Sequence, residues 1–204
     1  MTAVAPMGKA DQQRDRILHA AQCCFIEHGF HAASMASIAA TAGMSAGLIY
    51  RYFASKNEII IAIIERQLTL LREELSQLDG SADLATALAD TFGQTATCRK
   101  HGLSPALLLE MSAAATRDPG IASALKRFDA AIRDDLCAWF ARSTRAGGHG
   151  CAQAEASAKA LALQCFVEGM RVRETRDPNL DRAQLKAALD LVVPALVGPG
   201  CDGR

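Results

Sequence analysis

Along nearly the whole chain apolar residues recur at intervals of three and four, and no stretch of useful length alternates apolar with polar side chains. A period near 3.6 suits a helix and a period of two suits a strand, so this pattern admits an all-α fold and little else. Abundant alanine and scarce β-branched runs favour helix further. The 204 residues are 50 % hydrophobic. That is enough apolar mass to offset chain entropy, so the chain is not disordered. The length allows one large domain or two small ones, with about 70 % of the surface buried on folding.

Capping residues and glycines predict where the helices begin and end. A first helix, about 11–28, has Ile17, Leu18, Ala21, Cys24 and Phe25 on its inner face and stops at Gly29. Ser34 caps a short helix that Gly43 closes, and Ser45 caps another reaching about Phe53. Ser55-Lys56-Asn57-Glu58 has the spacing of a capping box and opens a long helix, about Lys56–Leu78. Further on, a helix starting at Asp83 fails at His101-Gly102, and Ser104-Pro105 and Asp118-Pro119 each set a capping side chain before a proline. Helices about 119–145, 152–176 and 181–197 follow, for about nine in all. The expected division is a disordered tail over 1–10, a unit of short helices over 11–55 joined by the helix 56–78, and a second helical domain over 79–204.

Lys+Arg and Asp+Glu balance at 22 each, so any DNA contact must come from a local patch. No apolar run approaches the ~18 residues of a membrane span, and the first ten residues lack the order of a signal peptide, so no membrane partner is expected. Seven cysteines, an odd number, form no C-x-x-C pair, which argues against a disulfide framework or a zinc site and for free, mostly buried thiols in a reducing cytoplasm. The histidines at 19, 28, 31, 101 and 149 share no metal-ligand spacing; Cys98 and His101 come nearest and read as a solvated helix end. Neither metal nor cofactor is expected. No nucleophile elbow and no glycine-rich loop after a strand is present, so the chain does not read as an enzyme.

Three short helices within the first fifty residues, with Ala42-Gly43-Met44 as the middle turn, fit a helix-turn-helix. In the last of them Ala46 and Gly47 keep the first turn narrow enough for a major groove. Ile49 and Phe53, four apart, would face the core, which leaves Tyr50, Arg51 and Tyr52 outward, donors suited to phosphate oxygens.

The residues Ile17-Leu18-His19-Ala20-Ala21, Phe25, His28-Gly29-Phe30, Ile38-Ala39, Ala42-Gly43-Met44-Ser45, Gly47, Ile49-Tyr50, Tyr52-Phe53 and Lys56 resemble, in order and spacing, the N-terminal domain of the TetR family of bacterial repressors. The match runs over 16–64, about a quarter of the chain. The resemblance implies that Ser34 and Ser45 are phosphate-facing caps and that Ala46, Gly47 and Leu48 form the turn nearest the bases. It implies phosphate-backbone contacts for Tyr50 and Tyr52 and a phosphate contact for Lys56. Many relatives carry a polar or basic residue at position 46; Ala46 shifts the readout toward thymine methyls or DNA shape.

The resemblance also implies a homodimer on a palindromic operator in double-stranded DNA, released by a small-molecule effector bound among the later helices. Apolar candidates for that pocket are Phe92, Met111, Phe128 and Trp139. Phe140, Phe166 and Met170 join them, and Glu110 is a candidate polar contact; apolar residues at helical spacing are more often core, and a satisfied or exposed carboxylate is the more ordinary reading of Glu110. An apolar stripe of Ala160, Leu163, Val167 and Met170, with a second of Leu185, Leu189, Val192 and Leu196, fits a four-helix dimer interface. The alternative is that both stripes merely close the core of a single subunit. An all-helical carrier or enzyme with a helix-turn-helix-like start is the alternative function.

Overall fold

The computed structural model describes residues 8–76, 84–92 and 104–198. The expected tail therefore lies mostly outside the described residues, as do Cys98, His101 and the helix end foreseen at 101–102; Lys9 and Ala10 already belong to the first helix. Among the described residues there are nine α-helices and no strand. They are α1 (Lys9–Ala32), α2 (Met35–Ala42), α3 (Ala46–Tyr50), α4 (Lys56–Ser76), α5 (Leu84–Thr91), α6 (Pro105–Ala115), α7 (Pro119–Ala141), α8 (Gln153–Arg176) and α9 (Arg182–Val197).

Two compact units form, and their boundaries differ from the expected ones. One holds residues 1–66 together with 107–125; the other holds 67–106 and 126–204. The reason is visible in the bonds. Asp118, at the start of α7, caps that helix by accepting from the Ile121 N–H at 2.9 Å and also accepts from the Asn57 side-chain amide on α4. Glu110 on α6 accepts from the Phe30 N–H at 3.2 Å. The stretch 107–125 is thereby tied to the first helices by polar groups that the apolar pattern does not register.

In the first unit, Ile17, Phe25, Ile38, Ile49, Ile59, Ile60 and Ile63 are all essentially inaccessible. Cys24 is buried as expected, its Sγ 3.2 Å from the Thr41 hydroxyl of α2. The second unit has two apolar clusters. In one, Ile132, Leu136, Trp139 and Phe140 of α7 pack with Ala156, Ala160 and Leu163 of α8. In the other, Ala85, Ala89 and Phe92 meet Leu185, Leu189 and Val193 of α9. Arg72 and Asp135 add a two-bond ion pair, at 2.6 and 3.0 Å, between α4 and α7. Helix α7 ends at Ala141 rather than near 145; a single 3-10 turn, Thr144–Ala146, intervenes before Gly147. The following loop buries His149 against Trp139 and Phe140, ring centroids 4.5 and 5.4 Å away.

Two outcomes follow from these contacts. Asp118→Ala removes a helix cap and leaves the Asn57 amide without its acceptor, so urea unfolding should show a loss of about 2 kcal/mol, whereas Asp118→Asn, which keeps an oxygen, should lose less. Burial, and then the nearby Lys159 charge, hold the His149 imidazole below its ordinary pKa. The unfolded chain therefore takes up that proton first, and stability should fall as pH drops below about 6.5. His149→Phe should flatten that decline between about pH 6.5 and 5 in thermal melts.

Candidate nucleic-acid interface

Helices α2 and α3 are held by their own side chains. The Ser34 hydroxyl accepts from the Ser37 N–H at 3.0 Å, and the Ser37 hydroxyl accepts from the Ser34 N–H at 2.8 Å, a reciprocal capping box. The S-x-x-S spacing was available in the sequence, but Ser37 was not singled out. Gly43 ends α2 in the left-handed region, φ 61° and ψ 40°, its N–H bonded to the carbonyls of Ala39 and Ala40. Two residues later Ser45 caps α3 by accepting from the Leu48 N–H at 3.3 Å. Because Ser34 and Ser45 are both exposed, their hydroxyls can cap and still face a phosphate.

Helix α3 has one buried side. Ile49 is fully inaccessible and Phe53, one turn on, is 2 % exposed. The Arg14 guanidinium lies over the Phe53 ring at 4.4 Å, a cover that the sequence reading did not anticipate. On the opposite side Ala46 and Gly47 are exposed, and a Cβ built on Gly47 would meet no atom within 4 Å. Tyr50 is 55 % exposed and Arg51 is exposed; Tyr52 and Leu48 are half-buried. The turn expected nearest the bases is thus open, and a phenol and a guanidinium stand beside it.

Lys56 lies differently. Its ammonium donates to the carbonyls of Phe30, His31 (3.3 Å) and Ala33 (2.8 Å), and it sits 4.4 Å from the centre of the Phe30 ring. An ammonium has three N–H groups, and three carbonyl oxygens surround this one. Partial burial lowers its pKa from the ordinary lysine value. The capping box at the start of α4 is also displaced by one residue. Ser55 accepts from the Glu58 N–H at 3.2 Å, but the Glu58 carboxylate accepts from the Ala54 N–H, at 2.8 Å, instead of returning to Ser55.

The pocket candidates fall into three places. Glu110 and Met111 belong to the first unit, where the Glu110 carboxylate receives the Phe30 N–H and Met111 is fully inaccessible. Trp139 and Phe140 are core residues of the α7–α8 cluster, with Phe128 packed half-buried against it. Phe92 is buried in the α5–α9 cluster, and Phe166 and Met170 pack on its edge. Of the interface candidates, Ala160, Leu163, Leu185 and Leu189 are buried within the subunit, as the alternative of a closed subunit core requires. Val167, Val192 and Leu196 are half-buried. The large apolar residues left exposed on these helices are Leu161, at 46 %, and Leu191, at 77 %.

Replacing Lys56 by Met keeps the stem against Phe30 and removes every donor. Denaturant unfolding of Lys56→Met should show a loss of about 2 kcal/mol, from carbonyls left without a charged donor.

The comparisons with known proteins agree with this geometry. The family model for bacterial regulatory proteins of the tetR family matches residues 17–63, and the model for the C-terminal part of BetI-type transcriptional repressors matches residues 82–198, more than half of the chain. The chain is 36 % identical over 126 residues to the HTH-type transcriptional regulator UidR of Escherichia coli K12, a match covering 58 % of this chain and 59 % of UidR. It is 25 % identical over 174 residues to the HTH-type transcriptional repressor ComR of the same organism, covering 83 % of this chain and 82 % of ComR. The structure of Salmonella enterica GusR superposes with a TM-score of 0.73 at 27 % identity, over 94 % of this chain and 98 % of GusR. A capped, open-faced helix-turn-helix at residues 34–53, a family model that spans it and a second over the later helices carry one conclusion: the chain belongs to the TetR family of transcriptional regulators, DNA-binding proteins rather than enzymes.

Proposed function

We propose that the protein is a ligand-released repressor that binds a palindromic operator as a homodimer. The observation that carries the DNA-binding face is the outer side of α3, where Gly47 opens onto free space between exposed Ser45 and exposed Tyr50 and Arg51. Ser34 and Ser45 present hydroxyls to phosphates, Ala46, Gly47 and Leu48 approach the bases, and Tyr50 and Tyr52 contact the backbone. Lys56 contributes its charge and the placement of α2 rather than a direct phosphate bond, since its donors already have acceptors. One such helix reads few base pairs, and a two-fold pair about 34–36 Å apart doubles the contact.

The dimer reading rests on Leu161 and Leu191, large apolar side chains exposed on α8 and α9. The effector reading rests on Phe128, Phe166 and Met170, half-buried aromatic and thioether groups at the edges of the two clusters of the second unit. A largely apolar small molecule suits such a lining. Helix α4 is one continuous helix of 21 residues, about 31 Å long at 1.5 Å per residue. A ligand that displaces its later turns tilts its first turn, and with it the spacing of the two reading helices. Couplings of this kind are typically about 5–150-fold in affinity.

A gel shift and fluorescence titration with the DNA upstream of the coding sequence tests the reading. Arg51→Ala should weaken binding and reduce the slope of log K against log salt by about one. Tyr50→Ala should weaken binding with the slope unchanged. A Tyr50→Ala, Arg51→Ala double variant that binds as well as the wild type would refute the assigned face.

A further inference from the structure

Gly29 interrupts α1 with φ 76° and ψ 159°, and the peptide groups beyond such a break need new partners. The Phe30 peptide finds them on both sides. Its N–H donates to Oε2 of Glu110, 80 residues away in sequence, and its carbonyl accepts from the Lys56 ammonium. A carboxylate thus faces the N–H end and an ammonium the C=O end, so both bonds are charge-assisted. Phe30 is itself buried, with its ring against Phe25 and under Lys56. Ser34, the cap of α2, follows four residues later, so a shift of the Phe30 peptide is passed to α2 with little slack. Helix α2 leads through Gly43 and Ser45 directly into α3. A second bond from the same part of the chain, between Arg117 and the His31 ring at 3.4 Å, steadies the neighbouring residue.

We propose that Glu110 is a positioning residue for DNA binding, holding the Phe30 N–H so that α2, and through it the reading helix α3, stands in register. Glu110 does not touch DNA. This rests on the reading of α3 as the DNA-contacting helix. It turns a residue first considered as an effector contact into the link by which α6 sets operator affinity.

The test compares Glu110→Ala and Glu110→Gln in the full-length chain. The probe is a duplex enriched by the wild-type protein from a random 30-base-pair library. Glu110→Ala should bind that duplex about tenfold more weakly, within the usual range of such couplings, at temperatures where circular dichroism shows it fully folded. Its salt slope should be unchanged, because no phosphate contact is lost. Amide exchange at Phe30 should quicken while that of Ile17 and Leu18 does not. Glu110→Gln keeps a carbonyl acceptor and should restore affinity to within about twofold of the wild type. Should Glu110→Ala fail to fold, Glu110→Met, which keeps the bulk without the acceptor, takes its place. Unchanged affinity in the acceptor-free variant, or a Gln variant as weak as the Ala one, would overturn the proposal and leave the DNA-binding reading standing. A wild type that enriches no duplex would overturn both.

Discussion

The ammonium of Lys56 on the carbonyls of Phe30, His31 and Ala33 is the interaction on which the DNA-binding unit depends. A helix that stops leaves its last carbonyls without N–H partners, and Gly29 brings that stop into the middle of a packed unit. A single lysine in the first turn of α4 answers several of them at once. In doing so it brings the end of α1, the approach to α2 and the start of α4 to one point. The isoleucines that follow, at 59, 60, 63 and 64, then run inward along α4 and close the core. The Lys56 contact thus fixes where α1, α2 and α4 meet behind α3, while Ser45 caps α3 and Ile49 anchors it locally.

Local signals were legible in the sequence where their partners are local. Ser34, Ser45 and Pro119 mark helix starts because a cap acts within three residues, and the structure has helices beginning beside each. The inner face of α1 was readable for the same reason, since Ile17, Leu18, Ala21, Cys24 and Phe25 are all buried. Polar partners 23 to 80 residues apart were not readable. The acceptors of Lys56 and the donor to Glu110 have no periodicity, so the residues alone name neither; the phosphate contact for Lys56 comes from the family resemblance, and a satisfied carboxylate at Glu110 could be foreseen without its partner. Apolar stripes carry a different ambiguity. Burial against a neighbouring helix and burial against a second subunit require the same residues at the same spacing, and Ala160, Leu163, Leu185 and Leu189 satisfy the first.

Charge balance gives the interface its character. With no net charge on the chain, no long-range field gathers DNA, and attraction depends on what stands around α3. There the exposed groups are hydroxyls, a phenol and one guanidinium, beside a turn of Ala46 and Gly47 whose side chains can hydrogen-bond to nothing. On the proposed reading, such a face would position itself by phosphate contacts and discriminate by close approach, methyl contact and groove shape.

The central claim is that DNA meets the outer face of α3 while Lys56 stays engaged inside. The most direct measurement is a nuclear magnetic resonance titration of isotope-labelled protein with an enriched duplex, following backbone amides and lysine ammonium groups together. The account predicts the largest amide shifts from Ser45 to Tyr52, with the Lys56 ammonium signal retaining its position and its slow hydrogen exchange. Shifts that leave Ser45 to Tyr52 unmoved, or a Lys56 signal that moves onto phosphate, would contradict it.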